Sequence, residues 1–357
     1  MNKKALIAMS GGVDSSVTAL LMKDAGYECI GATMHLFDNE DAGIEREKTC
    51  CSLSDVEDAA SVARRMGMKH YVFNFKDEFR DKVINNFIGE YERGGTPNPC
   101  IDCNRYMKFD KLLKRAEVLG CDTIATGHYV RINYNEQSGR YELLKALDET
   151  KDQSYVLYVM TQEQLAHTVF PLGNLRKTQV REIAEKNGFV NARKKDSQDI
   201  CFVPDGDYAR FIERYTGKTF PHGNFCDRSG KVLARHSGII KYTIGQRKGL
   251  GVAFGKPMYV CDKCIENNTV ILGENEDLMK SEVCASDFNW ISICGADEPI
   301  RVEAKIRYNQ SAQPAVLYQT GENSVKVVFD KPQRAPARGQ ALVCYDGDRV
   351  IGGGTIE

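Results

Sequence analysis

Serines, an aspartate and several cysteines stand in this 357-residue sequence at spacings that suit chemistry on phosphate and sulfur. The first group is Ser-Gly-Gly-Val-Asp-Ser-Ser at residues 10–16. The apolar run at 5–9 before it is typical of a strand buried on both faces, and the run at 17–22 after it predicts a helix. Two glycines let the backbone approach a ligand, and the N–H groups of a helix's first turn face an anion. The motif therefore predicts a pyrophosphate-binding loop.

This loop differs from the common phosphate-binding motifs. No lysine follows the glycines as in a Walker loop, and the spacing is not the Gly-x-Gly-x-x-Gly of dinucleotide folds. Without that lysine, Mg²⁺ would have to neutralise triphosphate charge, with Asp14 as the nearby carboxylate. The alternative is an ordinary glycine turn capped by Asp14 or Ser15. The order of strand, glycines, serines, aspartate and helix resembles the PP-loop ATP pyrophosphatases, which split ATP between its α and β phosphates and leave an adenylate on the substrate.

Cys100 and Cys103 form the second group. They follow Gly-Gly-Thr-Pro-Asn-Pro at 94–99, whose glycines and prolines predict a loop that enters a helix near Asn104. A thiol at a helix N-terminus is stabilised as the thiolate, which predicts a nucleophile at this place. The Cys-x-x-Cys spacing by itself also fits a redox pair, half a zinc site or chance.

Cys201, in Asp-Ser-Gln-Asp-Ile-Cys at 196–201, is the third candidate. A lone cysteine beside apolar neighbours is ordinarily a small core residue. A second Cys-x-x-Cys pair, Cys261 and Cys264, lies among strand-like runs, so a functional role is less strongly indicated for it than for Cys100 and Cys103. The adjacent Cys50 and Cys51 are interpreted as structural or incidental.

Composition describes a soluble globular protein, with 42% hydrophobic and 27% charged residues. No run is long enough for a signal peptide or a bilayer span, which predicts a cytoplasmic protein without a membrane partner. In that reducing compartment thirteen cysteines favour thiol chemistry or metal binding over a disulfide framework. The net charge is only −1, yet residues 208–258 hold ten Lys and Arg against two Asp and Glu, and residues 174–195 hold seven against two. This clustering predicts a bound polyanion, with a solvated loop face as the alternative.

The elements that must position these groups follow an alternating pattern. Further strands are predicted at 28–34, 70–75 and 123–129, and amphipathic helices at 55–66 and 77–91. This alternation predicts an α/β fold with a doubly wound parallel sheet, and the short alternating runs after Trp290 predict a small antiparallel β-barrel. The chain is too long for one hydrophobic core, so we expect three domains, at residues 1–207, 208–280 and 281–357. The alternative for the segment at about 169–189 is that it belongs to the middle domain.

Together the motifs resemble those of one family, the bacterial tRNA-specific 2-thiouridylases. The agreement runs nearly end to end, through residues 10–16, 96–99, 103–104, 125–129, 151–155 and 196–201. The resemblance implies a PP-loop domain of the adenine nucleotide alpha hydrolase-like type, a small middle domain and a C-terminal β-barrel. It implies an enzyme that adenylates the C2 oxygen of the wobble uridine, U34, and then replaces it with sulfur, releasing AMP and pyrophosphate.

The resemblance also implies roles for individual residues. Cys103 would be the nucleophile and Cys201 the persulfide carrier. ATP would be held by Ala8, Met9, Ser10, Gly11, Gly12, Val13, Asp14, Ser15, Met34 and Gly127. The target base would face Asn98, Pro99 and Cys100, and tRNA would contact His128, Lys151, Asp152, Gln153, Arg307, Tyr308 and Gln340.

The expected partners are tRNAs for Lys, Glu and Gln and a persulfide donor, either a sulfur-relay protein or a cysteine desulfurase. The persulfide of Cys201 attacks the activated carbon directly, or Cys103 attacks that persulfide, releases hydrosulfide and leaves a disulfide for a reductant. Much of the family has aspartate three residues before the nucleophile, where this chain has Cys100. That difference raises a further hypothesis, a [4Fe–4S] cluster on Cys100, Cys103 and Cys201 in addition to ATP and Mg²⁺.

Two other classes of function remain open on the sequence. One is a different PP-loop activity, an ATP-dependent amidation, which gives no role to Cys103 and Cys201. The other is an RNA-binding or sulfur-carrying protein that holds nucleotide without turnover.

Overall fold

The computed structural model describes residues 3–38, 53–194 and 200–357. Cys50, Cys51 and most of the 196–201 motif lie outside these ranges, whereas Cys201 lies within them. Among the helices of the described residues, none combines the length and apolar character that crossing a membrane requires.

A five-stranded parallel sheet forms the centre of the first domain. Its strands are β1 (Lys4–Ala8), β2 (Glu28–His35), β3 (Lys69–Asn74) and β4 (Thr123–Ala125), followed by β7 (Thr168–Val169) after the hairpin of β5 (Arg131–Asn135) and β6 (Arg140–Leu144). The strand order is β3-β2-β1-β4-β7, and every pairing is parallel. The predicted doubly wound sheet is therefore confirmed, with its topological switch point between β1 and β4, where such sheets bind ligands.

Helices and helical turns cover this sheet and link it to the other domains. The α-helices lie at Val13–Asp24, Leu53–Arg65, Lys76–Phe79, Asn85–Glu92, Pro99–Asp102, Leu112–Val118, Ser154–Leu157, Gln162–Ala166, Lys177–Lys186 and Tyr208–Thr216. Wider π-helical turns occupy Arg80–Ile84 and Cys103–Lys111, and 3-10 turns occupy Ile239–Lys241 and Glu276–Leu278.

The segment at about 169–189 belongs to the first domain. Val169 pairs in register with Ala125 of β4. Helix Lys177–Lys186 buries Val180 and Ala184 in the same hydrophobic cluster as β1. The apolar face of this helix therefore packs on the helix and sheet of the first domain, which favours placing the segment in that domain rather than in the middle domain.

The middle domain is a four-stranded sheet packed onto the first domain. Its strands are β8 (Gly223–Cys226), β9 (Val232–His236), β10 (Tyr259–Cys264) and β11 (Thr269–Gly273), in the order β10-β11-β8-β9. Phe225 and Val270 of this sheet share one hydrophobic cluster with Phe79, Phe87 and Phe202 of the first domain. We call this shared core the interdomain cluster.

The C-terminal strands close into the predicted antiparallel barrel. They are β12 (Met279–Trp290), β13 (Ile300–Lys305), β14 (Gln313–Gly321), β15 (Ser324–Arg334), β16 (Ala341–Asp346) and β17 (Arg349–Ile356). The order β12-β15-β14-β13-β16-β17 is closed by pairing of β12 with β17. The hairpin β5–β6 joins the outside of β17, where Leu144 pairs with Arg349, so the first domain adds two strands to the barrel sheet.

Candidate active site

The loop after β1 makes a turn that requires glycine. Gly11 has φ +72°, and a Cβ placed on it would lie 2.4 Å from the backbone oxygen of Asp55. Gly12 is extended and serves as the N-cap of helix Val13–Asp24. Within the loop, the Ser10 N–H donates to Ser15 Oγ at 3.2 Å and Ser15 Oγ donates to the Gly12 oxygen at 3.0 Å. The loop is thus held in a compact shape that leads directly into the helix.

A lysine from a distant helix pairs with the aspartate of this loop. Lys177 Nζ lies 2.8 Å and 2.7 Å from the two carboxylate oxygens of Asp14, and the Tyr129 hydroxyl donates to Oδ1 at 2.7 Å. The loop therefore has a neighbouring cation, although the motif itself lacks one. The sequence reasoning missed Lys177, and the basic composition of residues 174–195 was the only signal for it.

The same basic segment, residues 174–195, also forms hydrogen bonds with the backbone and side chains of the loop. Asn191 Nδ2 donates to the Gly11 oxygen and to Ser16 Oγ, both at 2.9 Å. Lys194 Nζ lies 2.6 Å from Asp55 Oδ1 and 2.8 Å from Asp58 Oδ2. These contacts tie the loop to helix Leu53–Arg65 and to the chain just before residue 195.

The residues predicted to hold ATP gather at the carboxyl edge of the sheet. Met9 follows β1, and its carbonyl accepts from Thr33 Oγ1 at 2.7 Å. Met34 stands at the end of the neighbouring β2. After β4, a Cβ on Gly127 would lie 3.0 Å from Asp14 Cβ and 3.1 Å from Ser15 N, so the absence of a side chain there lets two turns meet. Their binding of ATP stays a prediction.

The segment predicted to contact tRNA is bonded to this edge. Gln153 Oε1 accepts from the Tyr129 N–H at 2.9 Å, and the Gln153 N–H donates to the Tyr129 oxygen at 3.0 Å. Asp152 Oδ2 accepts from Ser154 Oγ at 2.7 Å, and Lys151 is half-buried. The Tyr129 hydroxyl in turn donates to Asp14. Tyr129 therefore links Gln153 to the glycine loop through one hydrogen bond on each side.

Cys103 lies one turn inside its helix, which begins earlier than predicted. Asn98 is the N-cap and accepts from the Cys100 N–H at 3.1 Å, and Pro99 is the first helical residue. The predicted helix start near Asn104 is wrong. The helix begins at Pro99, because proline is favoured at the first position of a helix. Burial raises the pKa of Cys103 to about 11, an effect that the positive charge of Lys108 offsets only in part. In the free protein, burial therefore favours the protonated form of this thiol.

We expect alkylation of Cys103 in the free protein to be slow and steeply dependent on pH. With a pKa near 11 the thiolate fraction, and hence the reaction rate, should rise about tenfold for each pH unit between pH 7 and 9. Peptide mapping after timed treatment with iodoacetamide measures the rate. Cys284, an exposed thiol on the barrel, is the reference and should react faster at pH 7. A Cys103 rate that levels off below pH 8 would contradict the buried, protonated thiol.

Cys103 and Cys201 each pack against the hydrophobic core shared by the first and middle domains. Both contact the interdomain cluster, as does Met34 from the end of β2. Cys103 and Cys201 are each partly exposed, and Cys100 is exposed. Within the described ranges, no group of three or more His, Cys, Asp and Glu side chains is arranged to hold a metal ion. Cys100, Cys103 and Cys201 as placed here form no such group.

Two of the residues predicted to contact tRNA, Gln340 and Arg307, form hydrogen bonds between domains, and Gln340 reaches the loop before Cys100. Gln340 Nε2 donates to the Thr96 oxygen at 2.5 Å, and the Thr96 N–H donates to the Arg338 oxygen at 2.8 Å. Arg307 Nη2 donates to the oxygens of Ile244 at 3.0 Å and Ala335 at 2.9 Å. The barrel thereby fixes the loop that leads into Cys100 and Cys103.

Tyr308 and His128 complete the predicted set. The Tyr308 hydroxyl lies 3.5 Å from the Asp152 oxygen and its ring is partly exposed. His128 is only 8% exposed, with Nδ1 at 2.6 Å from Thr126 Oγ1 and Nε2 at 3.2 Å from Lys108 Nζ. Burial and the charge of Lys108 hold the pKa of His128 well below its usual range, so this ring is neutral at physiological pH. Contact of either residue with tRNA stays a prediction.

Comparison with known proteins covers the whole chain. Residues 3–205 match the family model described as tRNA methyl transferase HUP domain, residues 209–274 the tRNA methyl transferase PRC-barrel domain, and residues 280–356 the aminomethyltransferase beta-barrel domain. A solved 4-thiouridine synthetase–RNA complex with bound ATP matches at a TM-score of 0.35 and 19% identity, covering 60% of this chain and 50% of that one. That likeness is too low to bear on the assignment.

Curated relatives match from end to end. The tRNA-specific 2-thiouridylase MnmA of Clostridioides difficile (strain 630) is 53% identical over 357 residues, covering 100% of this chain and 99% of the relative. The protein of the same name from Clostridium acetobutylicum is also 53% identical, and the match covers 100% of both chains. The chain therefore belongs to the tRNA-specific 2-thiouridylase family.

Proposed function

We propose that this protein is a tRNA 2-thiouridylase, a sulfurtransferase that converts the wobble uridine of tRNA to 2-thiouridine. In the first step the C2 oxygen attacks the α phosphorus of ATP and pyrophosphate leaves. In the second step sulfur bonds to C2, and the original oxygen leaves as part of AMP. The activation is needed because a pyrimidine carbonyl oxygen is a very poor leaving group, whereas AMP is a good one.

One observation carries this proposal beyond the family relationship. Met34 stands at the sheet edge beside the glycine loop, and it packs against the same interdomain cluster as Cys103 and Cys201. Met34 and both thiols thus contact one and the same hydrophobic cluster, which supports a common site for nucleotide activation and sulfur transfer. An amidating PP-loop enzyme would leave both thiols without a role.

The two thiols have distinct tasks in the proposed reaction. A persulfide on Cys201 attacks C2 with its terminal sulfur and displaces AMP. The Cys103 thiolate then attacks the Sγ of Cys201, which releases the thiocarbonyl of the base and leaves a disulfide that a reductant reopens. In the alternative order Cys103 attacks the persulfide first, and the hydrosulfide released attacks C2. Both routes require Cys103 to lose its proton, which its raised pKa opposes in the free protein.

Mg²⁺ would accompany ATP, with Asp14 as its carboxylate. Hard oxygen ligands suit this ion, which bridges phosphates and one or two carboxylates in many sites. Asp14 fits the requirement in ligand type, but both of its oxygens are bonded to Lys177 here, and Oδ1 also to Tyr129. A magnesium ion at Asp14 would therefore share this carboxylate with Lys177 or displace it.

The proposal extends to the partners. The basic residues of 208–258 would bind the anticodon arm, and the wobble base would leave its stack to reach the site. The substrates would be tRNAs for Lys, Glu and Gln. Sulfur would come from a relay protein or a cysteine desulfurase in the cytoplasm.

Mass spectrometry of tRNA nucleosides tests the proposal. The protein is incubated with unmodified tRNA, ATP, Mg²⁺, a persulfide-generating cysteine desulfurase with cysteine, and a thiol reductant. We expect replacement of one oxygen by sulfur in the wobble uridine, dependent on ATP. Addition of a methyl group, the activity that the name of the matching HUP-domain family suggests, would contradict the proposal. Unchanged tRNA despite ATP and tRNA binding would favour a binding protein without turnover.

A further inference from the structure

Lys177 is buried beside the glycine loop and fixed there by its backbone. The residue is 8% exposed, and it is the first residue of helix Lys177–Lys186. Its N–H donates to Asp148 Oδ2 at 2.9 Å, while its Nζ contacts both oxygens of Asp14. A lysine rarely lies this deep unless its charge is used. Here the charge is directed at the first turn of the helix that follows the loop.

The charges around the loop distinguish Lys177 from its neighbour Lys194. Lys194 Nζ lies between two carboxylates, Asp55 and Asp58, so its charge is more than balanced before any ligand arrives. Lys177 Nζ instead lies 2.7 Å from a carboxylate oxygen of Asp14, which belongs to the loop motif itself. The ammonium group of Lys177 is therefore held at the first turn of the helix that follows the loop, where an anion is expected.

We propose that Lys177 binds the β and γ phosphates of ATP and then the pyrophosphate that leaves, a role that rests on the proposed use of ATP at this loop. An ammonium group has three donors in a flexible arrangement, so it can bridge Asp14 and a phosphate or pass from one to the other. In a Walker loop the lysine belongs to the motif itself. In this chain the equivalent charge comes from a helix 163 residues away in sequence.

A purely structural role for Lys177 makes a different prediction. As a counter-ion that only keeps Asp14 in place, it would support the loop for every nucleotide equally. As a ligand of the β and γ phosphates, it would affect ATP and pyrophosphate and leave AMP unaffected.

The test compares three variants by calorimetry with ATP, AMP and inorganic pyrophosphate as the titrants, each with Mg²⁺. Lys177→Met keeps the length of the side chain and removes its charge, and Lys177→Arg restores a positive charge. Lys186→Met, at the exposed end of the same helix, is the matched control. We expect Lys177→Met to weaken ATP and pyrophosphate binding about 10- to 100-fold, the range for a charge-assisted hydrogen bond, with AMP binding within about twofold of the parent protein.

Lys177→Arg should recover part of the loss, and Lys186→Met should bind all three as the parent protein does. Equal weakening of ATP and AMP by Lys177→Met would overturn the assignment in favour of the structural role. Unchanged pyrophosphate binding would overturn it as well. If the parent protein binds no ATP, the proposed function itself fails, so the two failures are distinguishable.

Discussion

Cys201→Ser and Cys103→Ser should each lower sulfur transfer to tRNA by at least about 10³-fold, because each removes a sulfur atom that the proposed reaction uses. ATP and tRNA affinities should stay within about twofold, since neither thiol contributes to the glycine loop. Serine preserves the size of both side chains, which pack against the interdomain cluster without filling its centre. Thiouridine is measured by nucleoside mass spectrometry, and the affinities by calorimetry.

The two variants should differ in what accumulates. Cys201→Ser should accept no persulfide. Cys103→Ser should acquire a persulfide on Cys201 but should not complete sulfur transfer to tRNA. Intact-protein mass spectrometry measures the added sulfur. Cys284→Ser, at an exposed thiol of the barrel, is the matched control and should retain full activity. Substantial thiolation by either of the first two variants would overturn the role assigned to that cysteine.

Gly11→Ala should abolish detectable ATP binding, with a loss of more than about 100-fold. The added Cβ would lie 2.4 Å from the Asp55 oxygen and 2.8 Å from Asp55 Cα, both of which are backbone atoms that no rotamer change can move. The left-handed φ of +72° adds about 1–2 kcal/mol of strain. The loop has to move, and the N–H groups that would face phosphate move with it.

Gly26→Ala separates the clash from the strain. Gly26 also has a left-handed φ, +85°, yet a Cβ placed there meets nothing within 4 Å. Both variants should lose about 1–2 kcal/mol of unfolding free energy from the strain, with a further loss in Gly11→Ala from the clash. Only Gly11→Ala should lose ATP binding. Equal ATP binding by the two variants would show that the loop geometry is not the nucleotide site.

Local patterns predicted the first domain well because its strands and helices are specified by short runs of sequence. The unbroken apolar run at residues 5–9 gave β1, and Ala5, Leu6 and Ile7 are fully buried in the sheet. The alternating runs after Trp290 likewise predicted the barrel. The joining of the hairpin β5–β6 to β17 depends on a pairing between Leu144 and Arg349, which no local pattern contains.

The electrostatics of the site were harder to predict than its location. The glycines and prolines at residues 94–99 indicated that Cys103 lies at a helix terminus as an activated thiolate. In the structure Pro99 begins the helix, and burial raises the pKa of Cys103 to about 11. Lys177 meets Asp14 only through the packing of helix Lys177–Lys186 on helix Val13–Asp24. Burial and long-range ion pairs are properties of the tertiary fold, so single-sequence reasoning about charge states fails where they dominate.

The fate of one oxygen atom tests the central claim most directly. A tRNA whose wobble uridine carries ¹⁸O at C2 is incubated with the protein, ATP, Mg²⁺, the persulfide donor and a thiol reductant, and the AMP formed is analysed by mass spectrometry. If the C2 oxygen is adenylated before sulfur replaces it, each thiolation should place one ¹⁸O in AMP and none in pyrophosphate. Thiolated tRNA accompanied by unlabelled AMP, with ¹⁸O recovered in water or pyrophosphate, would contradict the account.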